Sequence, residues 1–351
     1  MSDLRLAALT SWLQHDLSRP VERIEVASAD ASFRRYFRAF APNGTSVIVM
    51  DAPPDREDIG PYLKVSGLLS SIGVHVPAVY AVDHERGFML LEDLGSEPYL
   101  PALRAGLRAD ALYAEALAAL MHIQVHGGEA AGQLAPYDAA TLQRELALLP
   151  EWFLDRHLGL GLSPAESDLL QKTFDFLIAE ALAQPQVFVH RDYHSRNLMV
   201  LEKDGPGIID FQDALHGPIG YDLVSLLKDC YIAWPRAQVE SWLRDYRQQL
   251  RASGFVSGAG GSEREFLRWF DLVGLQRHLK VLGIFARLWW RDGKPGYLDD
   301  LPLTLRYVQD TCARYSELQT FGRWLDERVA PHLALATLHA KAATQPTDPY
   351  R

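Results

Sequence analysis

Apolar positions recur along the chain with two different periods, and the change of period divides it. At the start, Leu6, Leu9, Leu13 and Leu17 return every three or four residues, which predicts an amphipathic helix. From 21 to 92 the apolar runs are short and punctuated by turn residues, the mark of strands. "VERIEVA" and "RRYFRAF" flank the turn-like "SADAS", "SVIVMD" (46–51) reads as a buried strand, and "AVYAVD" and "GFMLLED" follow. Between them, "EDIGPYLKVSGLLSS" predicts a helix from about Pro61. Past Gly95 the helical period takes over. "RADALYAEALAALMHIQVHG" (108–127) is a helix closed by glycine. Helical patterns then fill most of 138–183 and 219–343, interrupted by short strands near 187–190, 198–201 and 207–210. "SGFVSGAGGSE" (253–263) reads as a flexible surface loop. A small β-rich segment, 1–94, thus precedes a larger helical one, 95–351, with "LEDLG" (91–95) as the hinge. Strands followed by helices predict an α+β architecture.

Length and charge narrow the classes of partner. The 351 residues fit two domains at roughly 150 residues each. The net charge of −10 argues against nucleic acid, whose phosphates reward a basic surface. A local basic cluster would still hold a small anion. Only Cys230 and Cys312 occur, neither at metal-ligand spacing, which fits a reduced, cytoplasmic setting. No apolar run reaches the ~18 residues of a membrane span. The first helix lacks the basic start and apolar core of a signal peptide.

The stretch "HRDYHSRN" (190–197) is where chemistry concentrates, and it supports three readings. His190, Asp192 and His194 alternate, so in a strand they would share a face as metal ligands; a zinc or iron site would need further ligands. A buried histidine beside a surface loop is the second. The third looks outward: Asp192 and Asn197 have the spacing of a kinase H-R-D-x-x-x-x-N loop. Thirteen residues after Asn197, the run "GII" ends in Asp210–Phe211. Phosphoryl transfer needs a carboxylate at the attacking hydroxyl, a role for Asp192. It also needs oxygen ligands for Mg2+, which Asn197 and Asp210 supply.

Gln212 after the "DF" pair, and "GPIGYDLVSLL" (217–227), resemble the aminoglycoside phosphotransferase-like kinases over nearly the whole chain. The resemblance implies a bilobal protein-kinase-like fold using ATP and Mg2+. It implies that "SADASFRRYF" covers the ATP phosphates, with Ser32, Arg34 and Arg35 as contacts; a polar hairpin with solvated arginines is the alternative. It implies that "LLEDL" lies behind the adenine, using backbone groups of Glu92 and Leu94, and that Asp222 braces the catalytic loop. "DASFRRYFRA" (30–39), "LLEDLG" (90–95) and "QRHLKVLGIFARL" (276–288) are similar to the bacterial anomeric sugar kinases within that family. Those act on N-acetylmuramate and N-acetylglucosamine in cell-wall recycling, which implies a small amino-sugar acceptor. Aminoglycoside, choline and homoserine are alternative acceptors.

One departure stands out. Protein kinases carry a phosphate-binding lysine on the third strand, where this chain has Met50. Either the chain is a nucleotide-binding pseudokinase, or Arg34, Arg35 or Lys64 replaces it.

The helix near 271–292 is apolar on most sides, with Leu272, Leu275, Leu279, Leu282, Ala286 and Trp289 in one stripe. Gln276, Lys280, Gly283, Arg287 and Trp290 fall on another line at helical steps. A polar line on a buried helix is expected to face an acceptor cleft. There Gly283 would give room, Trp290 would stack on a sugar, and Lys280 or Arg287 would meet a carboxylate. Internal ion pairing is the alternative. His126, Glu145 and Asp213 are weaker candidates for the same cleft, and His194 has no assigned role.

Overall fold

The computed structural model describes residues 3–29, 33–106, 108–203, 205–333 and 336. Helix α1 (Leu4–Ser11) precedes strands β1 (Arg23–Ala29), β2 (Arg35–Phe40) and β3 (Ser46–Asp51), helix α2 (Gly60–Ser71), and strands β4 (Val79–Asp83) and β5 (Phe88–Glu92). Helices α3 (Tyr99–Arg104), α4 (Ala109–His126), α5 (Gly128–Ala131), α6 (Ala139–Leu146) and α7 (Pro164–Leu182) follow. Four short strands come next: β6 (Gln186–Val189), β7 (Leu198–Met199), β8 (Gly207–Ile208) and β9 (Leu215–Pro218). Helices α8 (Gly220–Leu227), α9 (Arg236–Ala252), α10 (Glu263–Trp290), α11 (Leu301–Cys312) and α12 (Gln319–Trp324) complete the order.

These elements form two compact units, one from 1–119 with 196–214, the other from 120–195 with 215–351. The division drawn from the sequence at 94 runs differently, because α3, the start of α4 and the β7–β8 hairpin go with the sheet. Hydrogen bonds explain the hairpin's allegiance: Val200 N–H donates to Glu97 O at 2.8 Å and Ile208 N–H to His75 O at 2.9 Å.

In the first unit the five strands run in the order β1-β2-β3-β5-β4, every neighbouring pair antiparallel. Because side chains alternate, each strand offers two faces. Phe37, Ala39, Val49, Phe88 and Leu90 share one face and pack against Leu9, Trp12 and Leu13 of the N-terminal helix. Asp3 caps that helix by accepting the Leu6 N–H at 3.1 Å. Leu9 and Leu13 are fully buried, each stabilising the fold by roughly 1.5–3 kcal/mol. The other face carries Tyr36 opposite Met50 and Met50 opposite Met89.

The second unit is built around α10. Ser262 caps it, accepting the Glu265 N–H at 3.1 Å. From Phe270 to Gly283 every side of the helix is buried, its apolar stripe by packing and polar residues such as Asp271, Gln276 and Lys280 by buried ion pairs and hydrogen bonds. The predicted stripe from Leu272 to Trp289 is buried throughout. α7 starts with a complete capping box, Ser163 with Glu166, followed by Pro164 in its first turn. β6 pairs antiparallel with β9, a strand that the apolar pattern does not announce.

Two expectations change. Gly283 makes room not for a ligand but for the chain itself: a Cβ there would come within 2.5 Å of the Leu148 backbone carbonyl. The 253–263 stretch is partly anchored, since Gly258 and Ala259 are buried and Arg247 Nε donates to Ala259 O at 2.7 Å.

Candidate active site

The loop after β6 is held at both ends by buried aspartates. Asp222, in the first turn of α8, accepts the His190 N–H at 2.7 Å and the Arg191 N–H at 3.0 Å. Asp229, just past that helix, accepts the Ser195 N–H at 3.0 Å and the Ser195 hydroxyl. Inside the loop, the His190 ring accepts the Asp192 N–H at 3.2 Å and packs edge-on against Tyr193. His190 is therefore a brace. Arg191 is in the left-handed region at φ 77°, a conformation that costs a non-glycine residue energy and needs such bracing.

Asp192 is half-buried. Burial pushes its carboxyl up, but the His194 ring and the charges of Lys280, Arg277 and Arg191 outweigh that and hold it below its ordinary value. The carboxylate is thus ionised at neutral pH, as an acceptor of a hydroxyl proton must be. His194, unassigned from sequence, packs edge-on against Tyr231.

The charges around Asp192 are organised by Glu145. Its carboxylate accepts from Arg191, from Tyr137 OH and from Gln276 Nε2 at 3.3 Å, and pairs with Lys280 Nζ at 2.9 Å. Lys280 also donates to Tyr221 OH at 3.0 Å. Burial would raise the Glu145 pKa, yet Lys280 and Arg191 leave it lowered. The predicted polar line of α10 is therefore not a uniform cleft wall. Gln276 and Lys280 are buried in this ionic network, as the internal-pairing alternative had it. The Leu148 backbone crosses at Gly283, and Arg287 and Trp290 lie half-buried beyond it. Arg287 has no salt-bridge partner among the described residues. Of the weaker candidates, Glu145 is the centre of the network, whereas His126 and Asp213 are exposed.

In the first unit, the thirteen-residue gap between Asn197 and Asp210 is the length of the β7–β8 hairpin. Leu198 pairs with Ile208 and the Ile209 N–H donates to Asn197 O at 3.1 Å, so both residues emerge at the same end. Asn197 Nδ2 lies 3.2 Å from Asp210 Oδ2, and Gln212 Nε2 donates to Asp210 Oδ1 at 2.8 Å. Asp210 also has positive φ, 63°. Among the described residues no three His, Cys, Asp or Glu side chains converge on a metal position, which removes the zinc or iron reading of "HRDYHSRN". One carboxylate and one amide oxygen suit Mg2+, which keeps waters and completes its shell with phosphate oxygens.

The hinge residues are fixed by their side chains and in part by backbone pairing, since the Glu92 N–H donates to Ala78 O at 2.9 Å and Glu92 pairs with Val47 of β3. Asp93 accepts from Arg38 Nε, Ser46 Oγ (each at 2.7 Å) and the Gly95 N–H. Glu92 accepts the Ala78 N–H at 3.1 Å and lies 3.2 Å from His75 Nε2. Leu94 is buried. Arg35 is committed elsewhere: its Nε donates to Asp51 Oδ2 at 3.0 Å and its terminal nitrogens reach Asp3. Ser32 lies outside the described residues. Asp229 and Arg277 were missed from sequence, although an aspartate seven residues after Asp222, behind the apolar "LVSLL", is a readable signal.

Residues 23–266 match the model of a phosphotransferase enzyme family. The chain is 46% identical over 335 residues to N-acetylmuramate/N-acetylglucosamine kinase of Pseudomonas putida, covering 93% of this chain and 97% of that protein. The protein of the same name from Pseudomonas aeruginosa is 46% identical over 333 residues, covering 92% and 96%. Among solved structures, the ADP-bound aminoglycoside phosphotransferase APH(2'')-Ib aligns with a TM-score of 0.57 at 14% identity, over 87% of this chain and 98% of that one. At that identity the likeness speaks for a shared kinase-like fold.

Proposed function

This chain belongs to the phosphotransferase enzyme family, and on that premise we propose that it transfers the γ-phosphoryl group of ATP to the anomeric hydroxyl of N-acetylmuramate or N-acetylglucosamine. The observation that carries the acceptor is the near-full-length similarity to two proteins of that name. The products would be a sugar 1-phosphate and ADP, formed in the cytoplasm and feeding the re-use of cell-wall sugars.

Asp192 orients the anomeric hydroxyl and accepts its proton. The hydroxyl oxygen bonds to the γ-phosphorus while the bond from that phosphorus to the β,γ-bridging oxygen breaks, so the electron pair leaves on ADP. Asn197 and Asp210 would hold the cation, and Mg2+ there would supply charge neutralisation for the phosphates. Gln212, bonded to Asp210, fixes the carboxylate's rotamer. Backbone groups of Glu92 and Leu94 receive the adenine edge. Glu145 keeps Arg191 and Lys280 in place, so that the loop carrying Asp192 stays ordered and the carboxylate stays charged. Trp290 and Arg287, half-buried on α10, contact the acceptor sugar.

The test is an acceptor screen. Purified protein with Mg-ATP is offered N-acetylmuramate, N-acetylglucosamine, an aminoglycoside, choline and homoserine, and products are read by phosphorus NMR. A sugar 1-phosphate is expected. A 6-phosphate, turnover of the other acceptors alone, or nucleotide binding without transfer to any of them would overturn the proposal.

A further inference from the structure

The nucleotide site of the proposed reaction lacks its usual cation, and the first unit contains what replaces it. In protein kinases a third-strand lysine, paired with a helix glutamate, faces the phosphates. Here both halves are missing. Met50 is fully buried on β3, and α2 has no Asp or Glu anywhere in "GPYLKVSGLLSS".

Three cations are available by sequence, and strand and helix geometry separate them. Lys64 is the only charged residue of α2. Tyr62, Val65, Ser66 and Leu69 form the buried face of that helix. At about 100° per residue, Lys64 projects roughly 200° from Tyr62, away from that face. Arg35 shares its strand face with Phe37 and Ala39, the face covered by the N-terminal helix. It stands opposite Asp51 in the register and is bound by Asp51 and Asp3.

Arg34 immediately precedes β2, and continuing the strand's alternation by one residue would put it on the other face, the one with Tyr36, Met50 and Met89. Tyr62 of α2 connects that face with the proposed cation-binding pair, since Tyr36 and Arg34 act on its buried hydroxyl from one side and Asp210 from the other. The Phe211 ring packs against Tyr62 at 4.8 Å. Arg38 lies on the same face four residues along, about 13 Å at strand rise, and is bonded to Asp93 and Gly95 O at the hinge. The face thus offers an elongated ligand the hinge at one end and Arg34 with Asp210 at the other.

We infer that Arg34 supplies the nucleotide-phosphate charge that Met50 cannot, and that Arg35 is structural. The inference rests on the ATP-dependent reading above, but its test needs no acceptor. Calorimetry would measure Mg-ATP and adenosine binding to Arg34→Gln, Arg34→Lys and Arg35→Gln. Arg34→Gln is expected to weaken Mg-ATP by about tenfold or more, the scale of a lost charge-assisted hydrogen bond, and to leave adenosine unchanged. Arg34→Lys should recover part of the loss. Arg35→Gln should lower the melting temperature while keeping Mg-ATP affinity. Wild-type Mg-ATP affinity in Arg34→Gln, or an equal loss for adenosine, would overturn it. Were the amino-sugar reading wrong, the wild type would bind Mg-ATP and transfer to no sugar, and the Arg34 comparison would still decide.

Discussion

Two aspartates near the catalytic loop differ because their surroundings differ. Asp192 is held ionised by four nearby groups, so under the proposed mechanism Asp192→Asn removes the proton acceptor and little else. Turnover in that variant is expected to fall roughly 10²–10⁴-fold, with Mg-ATP affinity by calorimetry within a few-fold of wild type; retained turnover would take Asp192 out of the mechanism. Asp222 behaves oppositely. Burial pushes its carboxyl up to about 7, against the pull of its bonds from His190 and Arg191 and with the Asp192 charge adding to the rise. The folded chain therefore keeps a proton that the unfolded chain loses near pH 4. Stability from this site is full below about pH 4 and is lost as pH rises through 7. Asp222→Asn cannot titrate. The stability of wild type relative to that variant should thus decline from pH 4 to 7, by a few kcal/mol in order of magnitude, as read from urea unfolding across that range. A difference that stays level with pH would contradict the assignment.

At the scale of elements, the sequence was legible wherever order along the chain equals order in space. Strand alternation and helical periodicity come from neighbours, so β1 to β5 and α10 stand close to where the pattern puts them. The Asn197–Asp210 spacing was legible for the same reason, being one hairpin. β9 was not, because "LHGP" has a glycine and a proline and gains strand geometry only by pairing with β6. The fate of Lys280 was hidden too. Its partner Glu145 lies far away in sequence, and nothing in the α10 pattern distinguishes a lysine facing a ligand from one facing a buried carboxylate. Gly283 was misread on the same ground, since its neighbour Leu148 is equally remote. Gly283→Ala keeps helix propensity favourable by roughly 1 kcal/mol yet drives a methyl into a backbone carbonyl that cannot rotate away. A net loss of about 1–3 kcal/mol is expected, measured by denaturant unfolding; a neutral or stabilising result would mean that the crossing of the chain over α10 is looser than described.

At the scale of the whole molecule, the chain enters the first unit twice. Its sheet is complete at Glu92, but the hairpin with Asn197 and Asp210 belongs to 196–214, enclosed in sequence by the second unit. This has a consequence for biosynthesis. At about 5–20 residues per second, translation reaches Asp210 roughly 6–24 s after Glu92. The nascent sheet and the helix beneath it can pair in that interval, since their contacts are local. The proposed cation-binding pair cannot exist until the first part of the second unit, 120–195, has already been made. Under the proposed function, the first unit is thus the first to begin folding, yet it gains its proposed cation pair late, so a stalled or truncated chain carries the sheet without that pair.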